Sequence, residues 1–73
     1  MKLQNRVREL RAKHRVSQGD LGKAIGSSRQ TISLIERGDY APSIVLSIKI
    51  AQIFGVPVEE IFMLVEGEDG DEE

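Results

Sequence analysis

Apolar residues recur along this chain at helical spacing, three or four positions apart, with short polar breaks between the sets. Val7 and Leu10 form the first set, Leu21 and Ile25 the second, and Ile32 and Ile35 the third. A denser set follows at Ile44, Leu46, Ile48, Ile50, Ile53 and Phe54. Such spacing places each of the first three sets on one face of a helix. The pattern predicts an all-α domain of five helices. Helix one spans about Asn5 to Lys13, with Val7, Leu10 and Leu3 turned inward. Helix two follows Ser17, and helix three runs from about Arg29 to Glu36. Helix four starts after Ser43 and ends at Gly55. A short helix five begins at Pro57 and continues through Glu59, Glu60, Ile61 and Phe62. Helix four is apolar nearly all round, which predicts a central position or one shared with a partner.

The breaks between helices two and three are the most informative. Ser17 is a favourable N-cap, and Asp20 adds negative charge in the first turn of the helix it opens. Gly22 costs about 1 kcal/mol of helix propensity relative to Ala, so a close approach by another helix is the expected reason for it. Gly26 stops the helix, as a residue free to adopt positive φ does. Ser27 and Ser28 offer new caps at once, leaving a turn of about three residues. At 100° per residue, the face of helix three opposite Ile32 and Ile35 gathers Arg29, Gln30, Ser33, Leu34 and Arg37. These side chains can donate to guanine, pair with adenine or touch a thymine methyl. Arg29 and Gln30 are the expected base contacts, followed by Ser33 and Leu34 one turn on, although Leu34 serves equally well as a partly exposed packing residue. Ser28 and Thr31 are expected to cap the helix or touch the DNA backbone. Arg37 and Tyr40 border the same face as phosphate contacts, with Asp39 unfavourable between them.

The run from Ser17-Gln18 through Leu21-Gly22, Ile25-Gly26-Ser27-Ser28-Arg29-Gln30-Thr31-Ile32-Ser33 and Ile35-Glu36-Arg37-Gly38 resembles the Cro/phage-repressor (XRE) family of helix-turn-helix proteins. The resemblance covers roughly residues 5 to 63. It implies a five-helix lambda-repressor-like DNA-binding domain whose second motif helix enters the major groove. It also implies a phosphate contact for Gln18 and an ion pair between Arg11 and Glu36, with Arg11 reaching the DNA backbone as well. Two positions depart from the family pattern. Gly22 stands where the family mostly has Ala, and Ser27 where it has a small apolar residue; both are expected to loosen the turn.

Charge changes the picture only through its distribution. The 73 residues carry a formal net charge of −2, yet six of the 12 acidic residues fall at Glu66, Glu68, Asp69, Asp71, Glu72 and Glu73. Residues 1–65 hold ten basic side chains against six acidic ones, a net +4, and form the expected DNA-binding domain. Residues 66–73 read as a disordered acidic tail. Its simplest role is solubility; a sharper one is mimicry of DNA on the basic face. Without cysteine there is no disulfide framework or thiolate metal site. Met1 to Asn5 lack the apolar core of a signal peptide, and no apolar run approaches the ~20 residues of a membrane helix, so a cytoplasmic protein is expected.

Phe62-Met63-Leu64-Val65 is a second apolar feature, beside the acidic end. It reads as a short β-strand, paired with Met1 to Gln4 and lying with Ile61 at a dimer interface; folding back onto the core is the alternative. The resemblance supports the interface, since compact family members dimerise through this end. One recognition helix reads only ~4–6 base pairs, whereas a two-fold dimer sets two of them about 34 Å apart on successive major grooves. No catalytic constellation accompanies these features. His14 is expected as an exposed cation at a helix end, and the adjacent Glu59 and Glu60 point different ways. The expected protein is therefore no enzyme and needs no cofactor or metal. It is a homodimeric regulator, a repressor, at an inverted-repeat operator in double-stranded DNA. An antitoxin-like module that neutralises a protein partner, or a restriction–modification controller, is the alternative.

Overall fold

A computed structural model describes residues 1–66. The chain forms β1 (Lys2–Asn5), α1 (Val7–His14), α2 (Gln18–Ala24), α3 (Arg29–Glu36), α4 (Ile44–Phe54), one 3-10 turn (Val58–Glu60) and β2 (Phe62–Val65). Local chemistry sets most of these boundaries. The hydroxyls of Ser17, Ser28 and Ser43 accept from the amides of Asp20, Thr31 and Leu46 at 2.9–3.1 Å, one cap for each of α2, α3 and α4. Gly26 and Gly55, at φ +73° and +69°, end α2 and α4 as expected. Arg15 closes α1 in the same left-handed region, at φ 59°, a conformation that costs a side-chain-bearing residue about 1 kcal/mol.

Ten apolar side chains form a single core: Val7, Leu10, Leu21, Ile25, Ile32, Ile35, Ile50, Ala51, Phe54 and Ile61. Every helix contributes to it, which is what the three- and four-residue spacing requires. Burial of the largest of these is worth about 1.5–3 kcal/mol each.

Two expectations are corrected. The chain has four α-helices among the described residues, not five, because the stretch after Pro57 makes only i→i+3 bonds, Glu60 N–H to Pro57 and Ile61 N–H to Val58. Phe62 must already be extended to pair with Asn5, so no room remains for a full helical turn. Leu3 is not inward: it stands opposite Leu64 in the antiparallel ribbon β1–β2, and both are exposed. The ribbon itself matches the expected strand pair, shifted to include Asn5. Helix α4 is buried on one side only. Ile50, Ala51 and Phe54 are buried, whereas Ile44 is 68% exposed and Val45, Ile48 and Ile53 also face outward. His14 is exposed at the end of α1, as expected, and its ring lies 5.1 Å from that of Phe54. The expected disorder of residues 67–73 falls outside the described residues.

Candidate nucleic-acid interface

Helix α3 is seated by its two buried isoleucines, Ile32 and Ile35, and by the close approach of α2. Gly22 makes that approach possible. A β-carbon at this position would lie 2.6 Å from the carbonyl carbon of Ser28 and 2.7 Å from its oxygen. The Ser27 amide donates to the Gly22 carbonyl at 2.7 Å across the turn. Gly22 therefore tightens the turn, contrary to the loosening expected of it.

The C-terminal end of α3 is held by polar contacts from three elements. Arg11 grips Glu36 with two nitrogens, Nε to Oε2 at 2.6 Å and Nη2 to Oε1 at 3.2 Å. A third guanidinium nitrogen of Arg11 donates to the Val16 carbonyl. Gln18 donates its amide to Glu36 Oε1 at 3.0 Å, and Arg8 stands 3.8 Å from the same oxygen. The Glu36 side chain is 1% exposed. Burial alone would raise its pKa, but the hydrogen bonds from Arg11 and Gln18, with the charges of Arg11 and Arg8, hold it below the ordinary carboxylate range. Hydrogen bonding to Glu36 raises the Arg11 pKa in turn. Glu36 is thus a structural anchor rather than a reader of bases, and the expected Arg11–Glu36 ion pair is present.

Two partners of this anchor escape a reading of the sequence. Gln18, expected at a phosphate, bonds Glu36. Asn5 donates to the Ile35 carbonyl at 2.9 Å and accepts from the Val7 amide at 3.1 Å, tying β1, α1 and the end of α3 together. An Asn before a helix signals a cap; its second partner, thirty residues away, leaves no local trace.

The outward side of α3 carries the polar set. Gln18, Arg29, Gln30 and Ser33 line one surface hollow of about 550 Å³, open to solvent. Arg29 and Gln30 are exposed; Ser33, Leu34 and Thr31 are half-buried. Ser28 and Thr31 share a hydrogen bond at 3.1 Å besides the cap, so their hydroxyls are already partnered. Arg37 pairs with Asp39 at 3.1 Å, both more than half exposed, so that Asp39 neutralises a neighbour it was expected to hinder. Tyr40 is 44% exposed just beyond. Ile61 belongs to the monomer's own core, and Phe62 is half-buried against it. Leu64 is 67% exposed, and Met63 and Val65 are half-buried.

Two short helices locked at a glycine contact, the second presenting Arg, Gln and Ser outward, define a helix-turn-helix DNA-binding domain. Residues 7–61 match the model of the family described as Helix-turn-helix, and the chain belongs to that family, in its XRE-type branch. It is 45% identical over 64 residues to the HTH-type transcriptional regulator YgzD of Bacillus subtilis, covering 88% of this chain and 97% of that one. It is 47% identical over 66 residues to an HTH-type transcriptional regulator of Methanocaldococcus jannaschii, covering 90% and 100%. The transcriptional repressor RstR of the cryptic phage CTXphi, from Vibrio cholerae, is 28% identical over 57 residues, 78% of this chain and 51% of that one. A crystal structure of a protein from Bacteroides fragilis shares the fold, with a TM-score of 0.76 at 23% identity, over 84% of this chain and 98% of the other. The chain is a DNA-binding regulator and not an enzyme. Among the described residues no helix is long and apolar enough to cross a membrane.

Proposed function

We propose that the chain is a homodimeric, cytoplasmic repressor that occupies an inverted-repeat operator through α3. The observation that carries this reading is the gathering of Gln18, Arg29, Gln30 and Ser33 around one open hollow, on a helix fixed from behind by Glu36. Arg29 grips guanine O6 and N7, Gln30 grips adenine N6 and N7, and each pairing contributes about 1–3 kcal/mol of discrimination. Ser33 and Leu34 meet the next base edge or thymine methyl. Gln18, Ser28, Thr31, Arg37, Tyr40 and Arg11 face the phosphates. RstR, named a transcriptional repressor, supports repression as the outcome.

Dimerisation is supported by apolar surface that the monomer leaves in water: Leu3 opposite Leu64 on the ribbon, and Ile44, Val45 and Ile48 on α4. Met63 and Val65 complete the ribbon side of the interface. Selection from a random duplex library at about 150 mM salt tests the whole reading. An enriched inverted repeat, with half-sites about ten base pairs apart, is the expected result. A folded protein that enriches no sequence overturns it and gives weight to an antitoxin-like task, pursued by partner capture.

A further inference from the structure

A groove of about 570 Å³ runs between β1 and the segment leaving α3, and its walls include Lys2, Gln4, Arg37 and Tyr40. These side chains supply two cations, an amide and a hydroxyl, a set suited to anionic oxygens. Glu36 also lines the groove, but its carboxylate is buried and held by Arg11 and Gln18. Arg37 shares one nitrogen with Asp39 in a largely exposed pair. Such pairs contribute little, and the remaining guanidinium donors are available to another anion. The groove therefore presents net positive charge at the border of the proposed DNA face.

Complementary charge follows the ribbon in sequence. Val65 is the register partner of Lys2, so the chain leaves β2 beside the groove. The next eight residues include the carboxylates of Glu66, Glu68, Asp69, Asp71, Glu72 and Glu73. Eight extended residues reach up to about 26 Å, more than the molecule's 22 Å width.

The geometry points to this groove as the docking place of the chain's own acidic segment 66–73, which competes there with DNA phosphate for Lys2 and Arg37. The inference rests on the DNA-binding reading and adds a control to it. Any duplex that engages Lys2 and Arg37 must displace the segment first. Affinity therefore falls by a similar factor on non-specific duplex and operator, and the fall eases as salt screens the docked charges.

The test compares the wild-type chain with a full-length variant carrying Glu66→Gln, Glu68→Gln, Asp69→Asn, Asp71→Asn, Glu72→Gln and Glu73→Gln. Binding to a random-sequence duplex is read by fluorescence anisotropy, and backbone amide shifts are read by NMR without DNA. At about 50 mM salt the variant should bind about 5- to 10-fold more tightly, a gap that closes near 300 mM. Amide shifts should change at Lys2, Gln4, Arg37 and Tyr40, independently of protein concentration. Equal affinities at low salt, or tighter binding without those shifts, would overturn docking and leave a solubilising or merely repelling tail. Shifts that track protein concentration would also overturn it, identifying a second copy as the occupant. Failure of both proteins to bind DNA would sink the DNA-binding reading, while the shifts still decide whether the segment docks.

Discussion

Arg29 and Arg37 carry the same charge on neighbouring parts of one surface, and their surroundings give them different tasks. Arg29 is exposed at the start of α3, beside Gln30 and Ser33 in the hollow, where a planar fork reaches a base edge. Arg37 follows the helix and already shares its charge with Asp39. Arg29→Ala should therefore relax specificity at one base position per half-site, at about 1–3 kcal/mol. Arg37→Ala should weaken binding to all sequences alike and reduce the salt slope by about 1. Titrations of operator and mutated operators at several salt concentrations separate the two. A uniform loss for Arg29→Ala would reassign it to phosphate.

Arg11 is the bidentate partner of the buried Glu36 carboxylate. Removing Arg11 leaves a buried carboxylate with only Gln18 and the more distant Arg8, so Arg11→Met should cost about 3 kcal/mol. In a domain of this size that lowers Tm by well over 10 °C, measurable by circular dichroism. The pH dependence has a definite sign. Because the folded-state pKa lies below the ordinary value of 4.5, the unfolded chain binds the extra proton in acid. This contribution is complete above about pH 4.5 and is lost as pH falls through the lowered value. The acid loss should shrink in Arg11→Met, where the buried carboxyl gains from protonation.

Among the elements, the α2–α3 pair is decided by a missing side chain. Alanine at position 22 would improve helix propensity by about 1 kcal/mol, yet its β-carbon would press on the Ser28 backbone. Overpacking of this kind costs about 1–3 kcal/mol, and the atoms in the way are main chain. Gly22→Ala should thus lower Tm despite the better helix former, and should weaken operator binding as α3 shifts. A raised Tm with unchanged affinity would show that the two helices separate without penalty. The β-ribbon plays a comparable part from the other side. Asn5 joins it to the last turn of α3, so the ribbon and the recognition helix are tied together.

For the whole molecule, the open question is what covers the exposed aliphatic residues. Leu64 is the most exposed apolar residue of the ribbon, and its substitution leaves the monomer core untouched. Leu64→Asp should halve the mass seen by light scattering and reduce operator affinity far more than non-specific affinity. An unchanged dimer mass would move the interface to α4, where Ile48→Asp becomes the decisive variant. The acidic end acts at this scale as well, because it turns a body of net +4 into a chain of net −2.

The local chemistry of this protein was legible in its sequence. Serine caps, glycine stops and three- or four-residue apolar spacing depend on neighbours within one turn, so α1 to α4, the turn between α2 and α3 and the outward set on α3 could be read directly. The Arg11–Glu36 pair was available only through the family resemblance. Tertiary structure decided what depends on distant partners. It turned the expected fifth helix into a 3-10 turn, because Phe62 had to pair with Asn5. It assigned Ile61 to the core, left much of α4 in water, and gave Gln18 and Asn5 their contacts at the end of α3. Periodicity tells which residues share a face; only packing determines what that face meets.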